Sequence, residues 1–207
     1  VSTATRISYD EFEAMIERGE FPPDDPTRYE LIEGEILPMV APNPPHEDSL
    51  DILQGWSSRN LPHERVRVRV QQSIGLPGID SIPQPDLTWV REQSYRKRRP
   101  QPEEIFLIVE VSFTTLSYDR NRKARLYARA GLADYWIINL QSDCVEVLRD
   151  PSPRGYASKT VYYTGDVIHP LAFPDLEFPV ALLFPEVDEG DGIETGVLPA
   201  KPHGNGS

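Results

Sequence analysis

IFLIVEV (residues 105–111), YDRNRKARLYARA (118–130) and DYWIINL (134–140) follow one another along the chain. The first and third are apolar runs of strand length, and they read as strands buried on both faces. In the middle stretch Ala124, Leu126, Tyr127 and Ala130 recur at helical spacing, and Gly131 stands where a C-terminal cap belongs. Buried strand, helix and buried strand in immediate succession predict a right-handed crossover joining two parallel strands. One residue resists this pattern. Glu110 sits inside the first apolar run, and a carboxylate removed from water costs several kcal/mol, roughly, unless a partner meets it.

Outward from this unit the elements read as antiparallel. Ser8, with Glu11 three residues on, predicts a capping box at the start of a short helix. RYELIEGEILPMV predicts a hairpin, Tyr29 to Ile32 and Glu35 to Val40, turning at Gly34. HEDSLDILQGWSSRNL carries Leu50, Ile52, Leu53 and Trp56 at helical spacing. ERVRVRV alternates strictly, with Val66, Val68 and Val70 on one face and Arg65, Arg67 and Arg69 on the other. A strand is expected from Asp86 to Val90, and CVEVLRD and KTVYYTG predict a late hairpin. HPLAFPDLEFPVALLF supplies apolar residues that close the core. The expected fold class is α/β: a mixed sheet flanked by helices on both sides. One domain over residues 1–187 is expected, with a Gly-rich, polar and disordered tail over 188–207.

Composition excludes several classes. Hydrophobic residues make up 39% and charged residues 26% of the 207, as in a globular protein. No stretch approaches the ~18 consecutive apolar residues of a membrane span, and VSTATRISYDEFEAMIERGE has no apolar signal core. Cys144, the one cysteine, excludes an intramolecular disulfide and a cysteine-based zinc site. A cytoplasmic location fits that usage. A net charge of −12 argues against strong nonspecific nucleic-acid binding. The charge is uneven, however: REQSYRKRR (91–99) and DRNRKARLYAR (119–129) are basic runs. No Walker loop, G-x-S-x-G elbow or H-E-x-x-H is present.

Asp86 opens one expected strand and Glu110 nearly ends the next. Two short strands joined by a basic loop lie side by side, which brings the two carboxylates to one edge. Paired carboxylates repel unless a cation sits between them. A few oxygen ligands suit Mg2+ or Mn2+. Asp119, Lys123 and Tyr127, spaced by four, share one face of the following helix, so Lys123 can reach back toward the strand end.

The ordered series "PD", an apolar strand ending "EVS", "D…K…Y" and "AGLADYWIIN" resembles the PD-(D/E)XK nuclease superfamily. In detail it is similar to the Uma-two family of restriction-endonuclease-like proteins. RYELIEGEIL, PNPPHEDSLDIL and FPDLEFPVALLF extend the likeness over roughly residues 8 to 186. The resemblance implies that Asp86 and Glu110 ligate a metal, helped by the Val111 carbonyl, with Glu30 completing the site. It implies supporting roles for Gln72 and Tyr127, and His46 matches a family position with no role attached. The superfamily lysine lies two residues after the glutamate, where this chain has Ser112. The family pattern places it on the following helix, which makes Lys123 the candidate.

The function so implied is metal-dependent hydrolysis of DNA phosphodiester bonds. The divalent ion lowers the pKa of a water and neutralises the scissile phosphate, while Lys123 orients that water or stabilises the transition state. DNA is the expected partner, together with a second copy of the chain, because cutting both strands calls for two sites. The alternative is a noncatalytic oligomeric module that keeps the fold and the acids for binding or regulation.

Overall fold

The computed structural model describes residues 6–21 and 27–184. The expected tail at 188–207 lies outside the described residues.

Six strands form one sheet. In chain order they are β3 (Val66–Val70), β4 (Leu87–Arg91), β5 (Ile105–Ser112), β6 (Asp134–Asn139), β7 (Cys144–Ser152) and β8 (Gly155–Tyr163), and their spatial order is the same. Only β5 and β6 are parallel; every other neighbour in this sheet is antiparallel. The crossover expected from the sequence is therefore present, inside a mixed sheet. Two small antiparallel pairs stand apart from it: β1 (Tyr29–Ile32) with β2 (Glu35–Pro38), and β9 (Val167–Ile168) with β10 (Phe178–Pro179). The β1–β2 turn puts Glu33 at φ 51° and Gly34 at φ 80°. Two successive positive φ values make the tight turn that matches strand twist.

Each face of the sheet is covered. Helix α2 (Pro44–Asn60) contributes Leu50, Leu53 and Trp56 to one core with Trp89, Val109, Trp136 and Phe178. On the opposite face Ile108, Tyr135 and Ile137 pack with Leu126 and Tyr127. Strand alternation sends Leu107, Val109 and Val111 to the α2 side, so Ile108 and Glu110 point to the other.

The helix expected over 118–130 is not uniform. It runs as α3 (Leu116–Tyr118), a π turn (Asp119–Lys123) and α4 (Ala124–Arg129). A π turn closes i→i+5 and is wider than an α turn. Asp119 and Lys123 are both buried within it. The helix ends in a Schellman motif: Leu132 N–H donates to the Tyr127 carbonyl, Gly131 N–H donates to that of Ala128, and Gly131 takes φ 77°. At the N-terminus, Ser8 caps α1 (Tyr9–Glu17) by accepting from Glu11 N–H, whereas the Glu11 carboxylate turns to Arg18.

Candidate active site

The sheet itself creates the position of Asp86. The β4–β5 ladder begins with Leu87 opposite Val109, while β5 continues to Ser112 against β6 alone. Past the ladder, the Val111 N–H has no strand partner. Asp86 Oδ2 accepts it at 2.8 Å. A strand residue presents its N–H and C=O to the same side, so the Val111 carbonyl also faces this gap. His46 reaches Asp86 from the first turn of α2, with Nε2 3.0 Å from Oδ1. Asn43 caps that turn by accepting from His46 N–H at 3.1 Å. His46 Nδ1 is buried without a hydrogen-bond partner.

Glu110 is 3% exposed and Lys123 is 6% exposed. Lys123 Nζ lies 2.9 Å from Glu110 Oε1 and 3.7 Å from Glu30 Oε2. Tyr127 donates its hydroxyl to the same Glu110 oxygen at 2.7 Å. Glu30, on β1, also accepts from Tyr118 Oη at 3.3 Å and from Gln84 N–H at 3.3 Å. Asp119 is held from below by Ser112 Oγ at 2.7 Å. A cleft of about 580 Å³ opens onto Glu30, His46, Asp86, Glu110, Asp119 and Lys123.

One ammonium stands among four carboxylates, and the electrostatics follow from that imbalance. Burial disfavours the charged lysine, but Glu110, Glu30, Asp119 and Asp86 together outweigh it and hold Lys123 protonated well above its ordinary range. Burial pushes Glu110 well above the usual carboxylate value despite Lys123, and Asp86 and Asp119 add to the rise. Asp119 is raised for the same first reason, burial. Tyr127, raised by burial and by Glu110, stays a neutral donor. Burial also opposes charge on His46, yet its hydrogen bond and attraction to Asp86 prevail and raise it.

The structure brings together Asp86, Glu110, Lys123, Glu30 and Tyr127, all five named from the sequence. It does not bring in Gln72, which is exposed. Its neighbour Gln71 lines the cleft instead and accepts from Arg28 at 3.0 Å. β3 stops at Val70, and Gln71 takes φ 47°, which turns the chain out of the strand and its side chain toward the cleft. His46 proves to touch Asp86, and Ser112, at the place of the superfamily lysine, anchors Asp119. The NPPH sequence was a usable signal for His46: Asn43 caps, the prolines start the helix, and His46 falls in its first turn.

The donor chemistry suits a hard divalent cation. Asp86, Glu110, Glu30 and the Val111 carbonyl offer oxygens only, and an excess of negative charge is what such an ion relieves. Among the described residues, no three His, Cys, Asp or Glu side chains form a ready-made metal site. A hard divalent ion that keeps several of its waters takes only one or two carboxylates.

Comparisons with known proteins agree with this architecture. No curated protein matches the chain. Among solved structures, one described as a "putative nuclease belonging to DUF820" from Anabaena variabilis superposes with a TM-score of 0.62 at 18% identity, covering 86% of this chain and 97% of that one. At that identity the likeness concerns the fold. Among the described residues no helix is long and apolar enough to cross a membrane. The family model named Uma2, "Putative restriction endonuclease", matches residues 9–181. This chain, with its restriction-endonuclease-like sheet and its acid-lined cleft, belongs to the Uma2 family.

Proposed function

We propose that the protein is a divalent-metal-dependent endonuclease hydrolysing DNA phosphodiester bonds in the cleft at the end of β4 and β5. The observation that carries this reading is Lys123, a buried ammonium among four acids at the floor of an open cleft. A purely structural ion pair needs no such surplus of carboxylates and no opening to solvent.

Asp86, Glu110 and the Val111 carbonyl would hold the ion. When bound, it would supply charge neutralisation at the scissile phosphate and acidify a water. The chain's own groups do the remainder. His46 and Val111 N–H fix the two Asp86 oxygens, leaving its carboxylate little rotational freedom. Tyr127 fixes Glu110. Lys123 presents positive charge to the pentavalent phosphorus oxygens as charge develops on them. Glu30 holds the ammonium from the other side. Mg2+ and Mn2+ are the ions this oxygen set favours.

A second reading has one specific observation in its favour. Lys123 already neutralises part of the acid cluster, as it would in a binding module that has lost catalysis. Mn2+ calorimetry and DNA cleavage separate the two. The nuclease reading expects Mn2+ binding that is lost in Asp86→Ala/Glu110→Ala, and cleavage lost in Asp86→Ala and in Lys123→Ala. Cleavage equal to the parent in both single variants refutes it. Metal binding without cleavage of single-stranded, duplex or branched DNA moves the assignment to the module.

A further inference from the structure

Two basic features of the sequence find no use in the cleft: the arginines of VRVRV and the run SYRKRR. The fold brings them together. Arg67 and Arg69 project from β3, the first strand of the sheet. The loop after β4 folds over them, so that Ser94, Tyr95 and Arg96 close a concavity of about 570 Å³. Glu92 is the one acid in its lining, and it is already committed to Arg67, whose Nε lies 3.0 Å from Glu92 Oε2. Three guanidiniums against one carboxylate leave this pocket positive on a chain of net charge −12.

Arg69 is the unusual member. The Tyr95 ring lies over its guanidinium, 5.4 Å from centroid to Cζ, and one Nη reaches the Ser73 carbonyl at 3.4 Å. Its Nε–H is buried with no acceptor. A buried donor without a partner costs about 1–3 kcal/mol, more when charged, and no carboxylate pairs with Arg69 among the described residues. Tyr95 itself is tied down, its hydroxyl donating to the Arg91 carbonyl at 2.9 Å. Stacking the guanidinium on that ring fixes the plane of the fork, which is the arrangement suited to a tetrahedral oxyanion.

We infer that this pocket is a phosphate-binding site, separate from the cleft, in which Arg69 and Arg96 hold a phosphoryl group beside the Arg67–Glu92 pair. The ligand is a free phosphate group or a phosphodiester of a nucleic-acid strand; both present the same oxygens. The site does not depend on the nuclease reading, because it concerns binding alone.

The test uses the full chain and the arginine Nε–Hε resonances. Inorganic phosphate is titrated into the parent, Arg69→Lys and Arg96→Gln. Expected is a saturable shift of the Arg69 resonance in the parent, weakened roughly tenfold or more in Arg96→Gln, with a weakening of the same order in Arg69→Lys read from the Arg67 resonance, as one charge-assisted contact is lost. Arg96 is an exposed loop residue, so Arg96→Gln keeps the fold if Arg69→Lys does not. No saturable shift at Arg69, or unchanged affinity in Arg96→Gln, overturns the assignment. A single-stranded oligothymidylate without terminal phosphates is then added. Displacement of phosphate from Arg69 identifies a backbone site, and retention of phosphate identifies a site for free phosphate groups.

Discussion

Two buried glutamates on one sheet face behave in opposite ways. Glu110 pairs with Ile137 across β5–β6, and Ile137 pairs with Glu146 across β6–β7. Directly paired residues project to the same face, so the two carboxylates stand in one row, two strands apart. Both are nearly inaccessible, at 3% and 1% exposed. Glu146 is fully answered: Arg120 Nε spans both its oxygens at 2.9 and 3.1 Å, Lys159 meets Oε2 at 2.6 Å, and Asn139 meets Oε1 at 3.3 Å. Burial pushes the Glu146 carboxyl up, but the two cations prevail and hold it below the ordinary value. Glu110 shares one cation with three other acids, and burial wins. Both its hydrogen bonds fall on Oε1, and it borders the cleft. Closing a buried charge with its own counterions makes a strut. Leaving it short of counterions, beside an opening, is the arrangement that the proposed metal site requires.

The largest expected contrast is in catalysis. Glu110→Gln and Lys123→Met should each lower DNA cleavage by at least about 100-fold, while Glu146→Gln stays within a few-fold of the parent in the same assay. Equal losses from Glu110→Gln and Glu146→Gln would erase the distinction. Metal dependence comes next. Mn2+ at about 100 times its Kd stabilises a one-site protein by about 2.7 kcal/mol; thermal unfolding should show this gain in the parent and in Glu146→Gln, but not in Asp86→Ala/Glu110→Ala. Stability reverses the order. Glu146→Gln leaves Arg120 and Lys159 without their carboxylate, but they are 40% and 46% exposed and can turn to water. A loss of about 1–3 kcal/mol in urea unfolding is expected.

The smallest effect is in the pH profile. Glu146 has a folded-state pKa below its ordinary 4.5, so it contributes stability above pH 4.5 that disappears as pH falls through the folded value. The stability gap between parent and Glu146→Gln should therefore narrow in acid. Glu104, drawn down to about 2 chiefly by its hydrogen bonds from Arg98, shares that sign and provides the control: Glu104→Gln should also converge on the parent between pH 4.5 and 2. A gap that widens in acid would mean that Glu146 is not held by its cations.

The sequence by itself determined the strands of the large sheet, the crossover, and the order in which Asp86, Glu110 and Lys123 come along the chain; β9 and β10 read there only as core-closing apolar chain. Hydrophobic period is a local property, and β5, α4 and β6 announce themselves through it. The order PD, EVS and K also has local meaning, because a ladder that ends at Leu87 must place Asp86 beside the next strand's end. Tertiary structure decided the rest. No periodicity shows that the helix opens into a π turn burying both Asp119 and Lys123, since an α-helical count gives the same shared face. Gln72, named through the resemblance, stays outside the cleft and Gln71 lines it, because a positive φ at Gln71 ends the β3 alternation there. Glu110 and Glu146 look alike in sequence, each a lone acid between apolar neighbours. Only the long-range packing that gives one of them two cations, and the other a share of one, tells them apart. Electrostatic energy depends on distances between residues far apart in the chain, and the fold alone sets those distances.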